Sequence, residues 1–158
     1  HDLASEARTY APGTIAAMAP SAALAVQLAT VDAAAALFMP QRRGHIVAIA
    51  SVAAKVAVPR QAAYCASKAG LAQYMNSARI ELSRHGVTVG TLLPGFVVTD
   101  IMPNIGKYPF AIPADVAARD MARAIIRRQR TAFIPAFPWR WVHPLLNLLP
   151  PSLWRRLG

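Results

Sequence analysis

Two apolar runs stand out in the pattern of hydrophobic and polar positions along the chain. Residues 45–50 (HIVAIA) and 87–93 (VTVGTLL) are apolar at most positions and rich in β-branched side chains. Strands covered on both faces have this pattern, whereas strands with one exposed face alternate between apolar and polar residues. We therefore predict a buried strand at each run.

The stretch between the two runs predicts an amphipathic helix over residues 59–84. Pro59 can begin this helix, because proline is favoured in the first turn. Leu71, Met75 and Leu82 recur at helical spacing and so share one face. A strand, a helix and a second buried strand in this order form a βαβ unit, which predicts a parallel sheet with helices on its faces.

Further elements are predicted on either side of this unit. Residues 1–19 are rich in alanine but are interrupted by proline and glycine, which favours a loop with at most one helical turn. Ser21 can cap an apolar helix that runs to the neighbourhood of Phe38. Pro113 can begin another helix, and residues 131–135 can form a short last strand.

The end of the chain differs from the rest in composition. Residues 137–158 hold all three tryptophans together with leucines, arginines and prolines. Aromatic and leucine side chains beside arginines suit an amphipathic segment that lies in a membrane interface. The alternative is a tail that packs over its own domain or over a dimer partner. We therefore divide the chain into a domain at 1–136 and a tail at 137–158.

The overall composition indicates one globular domain with a core. The 158 residues are 55% hydrophobic, and the net charge of +10 comes from 17 Lys+Arg against 7 Asp+Glu. Such an excess favours an anionic ligand, a nucleic acid or an acidic membrane surface, and arginine-biased coding explains it equally well. No helix-turn-helix, zinc or RNP-like pattern accompanies the charge, so we expect no nucleic-acid partner and no metal site.

The cysteine content points to a reducing compartment. Cys65 is the only cysteine and cannot form an internal disulfide. No leader-type segment opens the sequence, and no apolar run reaches the roughly 18 residues needed to span a bilayer. We expect a cytoplasmic protein, peripheral at the membrane if its tail binds lipid. Because the chain begins with His1, we also expect it to be a piece of a longer polypeptide.

Three side chains around the predicted helix suggest acid–base chemistry. Tyr64 and Lys68 are four residues apart, so on a helix their Cβ atoms lie about 5–6 Å from one another. An ammonium beside a phenol stabilises the phenolate and makes the phenol a better acid and base near neutral pH. Ser51, at the end of the first predicted strand, can donate a hydrogen bond to a reacting oxygen. Together they predict a proton-transfer site.

Other catalytic classes lack their motifs. A serine hydrolase needs a G-x-S-x-G elbow, and Ser51 lies in IASVA without glycines. A phosphate-binding P-loop is absent, because the run from Gly106 to Tyr108 lacks both the upstream glycine and the hydroxyl that follows the lysine. Cys65 lies inside the Tyr64 to Lys68 turn, where a small filler is the preferred interpretation over a nucleophile.

Three segments resemble the short-chain dehydrogenases/reductases. GHIVAIAS at 44–51, YCASKAG at 64–70 and LLPGFVVTD at 92–100 match the family's serine, YxxxK and PG-x-x-x-T patterns in the right order and at the right gaps. The resemblance extends loosely over residues 11–135 and corresponds to the second half of the family's usual domain. It implies an α/β fold, here a partial Rossmann-like parallel sheet with flanking helices and an amphipathic C-terminal tail.

The resemblance also implies an activity and its residues. Tyr64 would be the general acid/base, Lys68 would bind the nicotinamide ribose and support the tyrosine, and Ser51 would orient the reacting oxygen. The loop that faces the nicotinamide would supply Pro94, Gly95, Val97 and Thr99. The reaction implied is hydride transfer between an alcohol and a ketone or aldehyde with NAD or NADP, which the sequence does not distinguish.

The resemblance has consequences for partners as well. The apolar tail and the largely apolar stretch 102–112 favour a lipophilic alcohol or ketone as the small-molecule substrate. By analogy with the family, the helix that carries Tyr64 would pair with its copy in a homo-oligomer.

Two departures from the family pattern favour a rival hypothesis. The eight glycines contain no G-x-G-x-x-G phosphate loop, and no Asn-Asn-Ala-Gly segment is recognisable near 5–10. Gln27 stands closest to the position where the family has a catalytic asparagine. The rival is a truncated, non-catalytic remnant that acts as a membrane-surface or interaction protein.

Overall fold

The computed structural model describes residues 3–99, 108, 110–148 and 150, and for residues 3–21 the backbone alone. Its centre is a parallel three-stranded sheet of β1 (Gly44–Ile49), β2 (Val87–Pro94) and β5 (Thr131–Ile134). The strand order is β1-β2-β5, with β2 in the middle. The predicted α/β class with a parallel sheet is confirmed, and each strand begins or ends within one residue of its predicted bounds.

The helices and two further short strands surround this sheet. In chain order they are α1 (Leu3–Gln41), the 3₁₀ turn η1 (Val52–Ala54), α2 (Ala62–Ser83), β3 (Val97–Val98), β4 (Ile112–Pro113), α3 (Ala114–Ile126) and α4 (Trp139–Leu146). β3 and β4 pair in parallel beside the main sheet. The prediction that α2 begins at Pro59 is wrong by three residues. The helix begins at Ala62, and Pro59 lies in the turn that precedes it.

The N-terminal prediction is wrong. Residues 1–19 were expected to form a loop before a helix capped by Ser21, whereas α1 runs without interruption from Leu3 to Gln41. Alanine has the highest helix propensity of all residues, and α1 contains Pro12 and Pro20 although an interior proline loses a backbone hydrogen bond and crowds the preceding turn. The alanine content therefore outweighs the proline and glycine signals in this segment.

Part of α1 also overturns the expectation that no apolar run is long enough to span a bilayer. Among the described residues, one helical segment, Ala22–Gln41, is long enough and apolar enough to cross a bilayer, with a mean hydropathy of 1.7. A core helix of a soluble protein and a signal sequence both pass the same test, and 6% of the apolar window is buried, with Val31 in the core. The segment is thus weak evidence for membrane insertion.

Two apolar layers cover the two faces of the sheet, as alternation along the strands requires. Leu71 and Met75 of α2 are fully buried and pack with Val89 and Leu93 of β2. On the opposite face Leu92 packs with the buried alanines of α3. The predicted inward face of α2 is confirmed by this packing.

The described part of the tail packs over the domain. Trp139 is only 6% exposed and belongs to the main core. The amide Nδ2 of Asn147 donates to the backbone carbonyl of Lys55 at 2.7 Å. The His143 ring stacks on Phe133 with centroids 4.7 Å apart. Residues 149 and 151–158 lie outside the described residues, as does most of the loop expected at 102–112.

Candidate active site

The candidate site lies where β1 and β2 end. Ser51 lies two residues after the end of β1, and Pro94 is the last residue of β2. Neighbouring parallel strands end at the same edge of a sheet, which is where ligands bind in open α/β folds. The hydroxyl of Ser51 donates to the carbonyl of Pro94 at 3.5 Å. The serine is therefore adjacent to the loop at residues 94–99, which we call the PG loop. The parallel order of the two predicted strands implies this neighbourhood.

Ser51 is held by its own turn. The residue is buried, and its Oγ accepts a hydrogen bond from the Ala53 N–H at 3.1 Å, which caps η1. Because that bond uses an oxygen lone pair, the hydroxyl proton stays free to choose its acceptor. The 3.5 Å bond to Pro94 is at the long limit of hydrogen bonding. A closer acceptor, such as a substrate oxygen, could compete for this proton.

Tyr64 and Lys68 come together on the first turns of α2. The Nζ of Lys68 lies 5.8 Å from the centroid of the Tyr64 ring, within the range of a cation–π contact. Burial lowers the pKa of Lys68 below its ordinary value. Tyr64 is 36% exposed, so its hydroxyl can be reached by a ligand. The pairing expected from their spacing is present.

The start of α2 is attached to the loop that carries Ser51. The Sγ of Cys65 donates weakly to the Val56 carbonyl at 3.9 Å, and the side chain is half-buried. This position agrees with the filler role expected for Cys65. Among the described residues no hydrogen bond joins Ser51 directly to Tyr64 or Lys68. Ser51 therefore lies on a segment next to the one that carries Tyr64 and Lys68, without a direct hydrogen bond to either.

The PG loop is fixed at its beginning and exposed at its end. The Gly95 N–H donates to the carbonyl of Ile134 in β5 at 2.8 Å. Val97 belongs to β3 and pairs with Ile112, and its side chain is half-buried. Thr99 is exposed. Pro94 and Gly95 therefore lie in rigid structure, whereas Thr99 faces solvent in this chain.

Sequence reasoning missed one neighbour of this loop, Trp139. A Cβ at Gly95 would clash with Trp139 Nε1, so the indole covers the glycine directly. Phe96 and Phe110 meet the same indole edge-on, with centroids 5.6 Å and 6.2 Å away. Among the residues that the structure describes, none accepts a hydrogen bond from the buried Trp139 N–H. A glycine signals close approach of something, but nothing local identifies a tryptophan 44 residues further on.

The residues present fit one half of a dinucleotide better than the other. Tyr64 and Lys68 offer a hydroxyl and an ammonium beside the exposed end of the sheet, which suits a ribose and a nicotinamide. No glycine-rich turn between a strand and a helix occurs in the part of the chain that the structure describes, so no backbone cradle for a pyrophosphate is seen there. Gln27 on α1 is half-buried. Within the described residues no cluster of potential metal ligands occurs.

Comparison with known families gives a direct match. The family model described as short chain dehydrogenase matches residues 21–109. This range includes Ser51, Tyr64 and Lys68, together with the PG loop.

Curated relatives agree with this match. An uncharacterized oxidoreductase of Mycobacterium tuberculosis is 31% identical over 136 residues, which are 85% of this chain and 54% of the relative. An uncharacterized oxidoreductase of Myxococcus xanthus is 33% identical over 128 residues, 79% of this chain and 49% of the relative. The chain thus spans about half the length of the curated relatives it matches.

Solved structures share the fold. A short-chain dehydrogenase from Sphingobium yanoikuyae in complex with NADPH matches with a TM-score of 0.60 at 24% identity, covering 80% of this chain and 46% of that one. A short chain dehydrogenase from Burkholderia cenocepacia in complex with NADP matches with a TM-score of 0.54 at 27% identity, covering 72% and 48%.

Proposed function

The chain belongs to the short-chain dehydrogenase family, and from that premise we propose that it is the catalytic half of an NAD(P)-dependent oxidoreductase. The proposed reaction interconverts an alcohol and a ketone or aldehyde, with Tyr64 as the acid/base. The observation that carries the proposal is the Lys68 ammonium 5.8 Å from the Tyr64 ring, beside the ends of β1 and β2.

Each proposed residue has one task in the proton transfer. When bound, a nicotinamide donates or accepts the hydride at the carbinol carbon. In reduction Tyr64 gives its hydroxyl proton to the carbonyl oxygen, and in oxidation it takes the proton back from the alcohol. Ser51 donates a hydrogen bond from its hydroxyl to the same oxygen, keeps its own proton and holds that oxygen in place. Lys68, whose pKa is lowered by burial, stabilises the phenolate that Tyr64 becomes after reduction.

The pyrophosphate half of the cofactor is the weaker part of this proposal. Since the chain spans about half of its relatives, we propose that the phosphate-binding turn belongs to the half that they have in addition. Pro94, Gly95, Val97 and Thr99 remain the proposed contacts to the nicotinamide. Whether NAD or NADP binds is decided by residues that this sequence does not contain.

Substitution of Tyr64 tests the acid/base role. We expect Tyr64→Phe to lower turnover of NADPH or NADH with lipophilic ketones by roughly 10²- to 10⁴-fold, the usual contribution of general acid catalysis. Folding should be unaffected, because the Tyr64 side chain lies at the surface. Tyr74→Phe on the same helix is the matched control and should keep its activity. A normal rate in Tyr64→Phe would refute the role.

Cofactor binding separates the enzyme from the rival remnant. NADH and NADPH fluorescence is titrated with the 158-residue chain. Saturable binding of either supports an enzyme that needs no further half. Binding of neither contradicts activity for the 158-residue chain by itself, though not its membership of the family.

Homo-oligomer formation is a further part of the proposal. Ile80 of α2 is 69% exposed, which gives the helix an apolar contact for its copy in a partner chain. Light scattering that reports a monomer would count against this pairing.

We also propose, as a second function, peripheral contact of the tail with a membrane surface. Four apolar side chains on α4 and at its ends are between 63% and 80% exposed: Phe137, Trp141, Leu145 and Leu148. Trp141 and Leu145 are one turn apart on α4 and share a face, and Phe137 and Leu148 lie just before and just after the helix. The guanidinium of Arg140 lies 5.8 Å from the Trp141 ring. An apolar face beside arginine suits an anionic lipid surface in the cytoplasm.

Point substitutions test the membrane contact better than deletion of the tail. Deleting 137–158 would also remove Trp139 from the core, so loss of binding would be confounded with loss of fold. We expect the double variant Trp141→Glu, Leu145→Glu to lose co-sedimentation with anionic liposomes. Ile126→Glu, an exposed apolar residue of α3, is the control and should still bind. Equal co-sedimentation of both variants would eliminate the membrane proposal.

A further inference from the structure

A cavity of about 180 Å³ lies between α2, the sheet and α4. The apolar side of its lining is formed by Ala72, Leu93 and Phe133. The polar side is formed by the remaining lining residues, Lys55, Asn76, Thr91, Thr131 and His143. None of the three catalytic residues lines it. The cavity is therefore separate from the proton-transfer site, and its capacity to bind a ligand does not depend on whether the chain turns over a substrate.

The charge around the cavity is positive. Lys55 lines it, and none of the residues that line it is acidic. Among the residues that the structure describes, Lys55 forms no ion pair, since the salt bridges found join only residues of α3. The backbone of Lys55 is tied to the end of α4 by Asn147, so the lysine is kept at the cavity wall. An unpaired ammonium beside a cavity favours an anionic occupant.

The imidazole ring of His143, which also lines the cavity, has a defined orientation. Its Nδ1 lies 3.0 Å from the carbonyl of Trp139, and because a carbonyl only accepts, Nδ1 must carry a proton. The ring is held by stacking on Phe133. In the described part of the chain Nε2 has no hydrogen-bond partner. Its neighbours therefore hold the His143 ring in one orientation at the cavity wall, where its signals can report an occupant.

Arg79 does not line the cavity, but it donates hydrogen bonds to the side-chain oxygens of two polar lining residues, Asn76 and Thr91. Its Nη1 donates to Oδ1 of Asn76 at 2.8 Å, and its Nη2 donates to Oγ1 of Thr91 at 3.4 Å. With their oxygens occupied, Asn76 offers its amide N–H groups and Thr91 its hydroxyl proton. The Asn76 amide is otherwise engaged only by a 3.4 Å contact to Gln73. The polar side is thus rich in donors and poor in acceptors.

We propose that this cavity binds a small carboxylic acid as its carboxylate. The carboxylate would accept hydrogen bonds from Lys55, Thr91 and Asn76, and a short hydrocarbon chain would lie against Leu93 and Phe133. The volume equals about six waters at about 30 Å³ each, which suits a head group with roughly four carbons. A free phosphate carries similar charge but would leave the apolar side unfilled.

Nuclear magnetic resonance of the His143 ring tests the proposal on the full chain. The ring signals are assigned by their loss in His143→Gln, and the protein is titrated with butyrate. We expect a saturable shift, which butyramide, neutral and of the same shape, does not produce. Phosphate should bind more weakly than butyrate. Equal responses to butyrate and butyramide would overturn the anionic site, and tighter binding of phosphate would overturn the carboxylate.

Variants separate the cavity from general charge effects. Lys55→Met should weaken butyrate binding by about tenfold or more, because a charge-assisted hydrogen bond is lost. Arg127→Met removes one charge from an exposed position on the other side of the sheet and should bind as the parent does. If Lys55→Met does not fold, Ala72→Val decides, since it fills the cavity and leaves every charge in place. Unchanged binding in the folded variant overturns the site.

Discussion

The side chain of Arg79 joins α2 to the sheet by hydrogen bonds to backbone carbonyls of the sheet region. Its Nε donates to the carbonyl of Val89 at 2.9 Å, and its Nη2 donates to the carbonyl of Arg130 at 2.7 Å. These carbonyls belong to β2 and to the turn before β5. Burial lowers the pKa of Arg79 from its ordinary value, yet the guanidinium stays charged at neutral pH. Its donors therefore remain available at all working conditions.

Replacing Arg79 should destabilise the fold. We expect Arg79→Met to lower the free energy of unfolding by about 2–3 kcal/mol, because two carbonyls lose a charged donor. Arg123→Met, which breaks an exposed pair with Asp120, should cost about 0–1 kcal/mol. Urea unfolding measures both. Equal costs for the two variants would contradict the role given to Arg79.

Tyr74 makes stability depend on pH in the alkaline range. Its hydroxyl donates to the Asp32 carboxylate, and this hydrogen bond, with burial and nearby acidic charge, raises the pKa of Tyr74 to about 12 from 10.0. A folded-state pKa above the unfolded one means that the folded protein holds the proton more tightly. The stabilisation is therefore complete below pH 10 and is lost as pH rises from 10 towards 12.

Comparison with Tyr74→Phe isolates this effect from other groups that titrate in the same range. The difference in unfolding free energy between parent and variant should shrink as pH rises from 10 towards 12. Unfolding in urea at a series of pH values measures it. A difference that stays constant across that range would show that Tyr74 and Asp32 do not interact as described.

The helix α4 and the PG loop depend on one another through a single close contact. Because a Cβ at Gly95 would clash with the Trp139 ring, we expect Gly95→Ala to cost about 1–3 kcal/mol of unfolding free energy, as overpacking does. Trp139→Leu should remove the clash, so Gly95→Ala should cost less in that background. A double-mutant cycle by thermal or urea unfolding measures the coupling.

Gly70 is the matched control for Gly95. It lies inside α2, and a Cβ there would meet only the flexible end of Leu24 at 3.3 Å. We expect Gly70→Ala to stabilise the protein by about 0.5–1 kcal/mol, since alanine is the better helix former. Destabilisation of similar size in both variants would mean that the Trp139 contact is not the cause.

The molecule as a whole carries an open sheet edge. β1 pairs only with β2 in the described part of the chain, and Ile49 at its end is 52% exposed. An unpaired apolar edge strand is a template for pairing with another chain. This edge is also consistent with a chain that spans about half the length of its relatives.

We expect the 158-residue chain to self-associate in a concentration-dependent way through this edge. Ile49→Lys should reduce the association, because a charge on an edge strand opposes strand pairing. Ile126→Lys, at an exposed position on α3, is the control and should not. Light scattering over a range of concentrations measures the effect, and identical behaviour of the two variants would rule out the β1 edge.

Local patterns were enough for the three strands of the main sheet, for α2 and for the pairing of Tyr64 with Lys68, but they predicted neither β3 nor β4. Each depends on residues close together in the chain: continuous β-branched runs for β1 and β2, and one helical turn between the tyrosine and the lysine. The parallel order of β1 and β2 also determined that Ser51 and Pro94 would meet at one edge. The same local rules failed for α1, where alanine content and proline signals opposed each other.

Only the tertiary structure decided which distant groups come into contact. Trp139 on Gly95, Asn147 on Lys55, and the donor-rich cavity behind α4 all join segments far apart in the sequence. Such contacts depend on how whole elements pack, and no periodicity in the chain encodes them. The proton-transfer residues could be identified from the sequence because they share one turn and one sheet edge. The surroundings of that site depend on the packing of α4, which the sequence left open between membrane and domain.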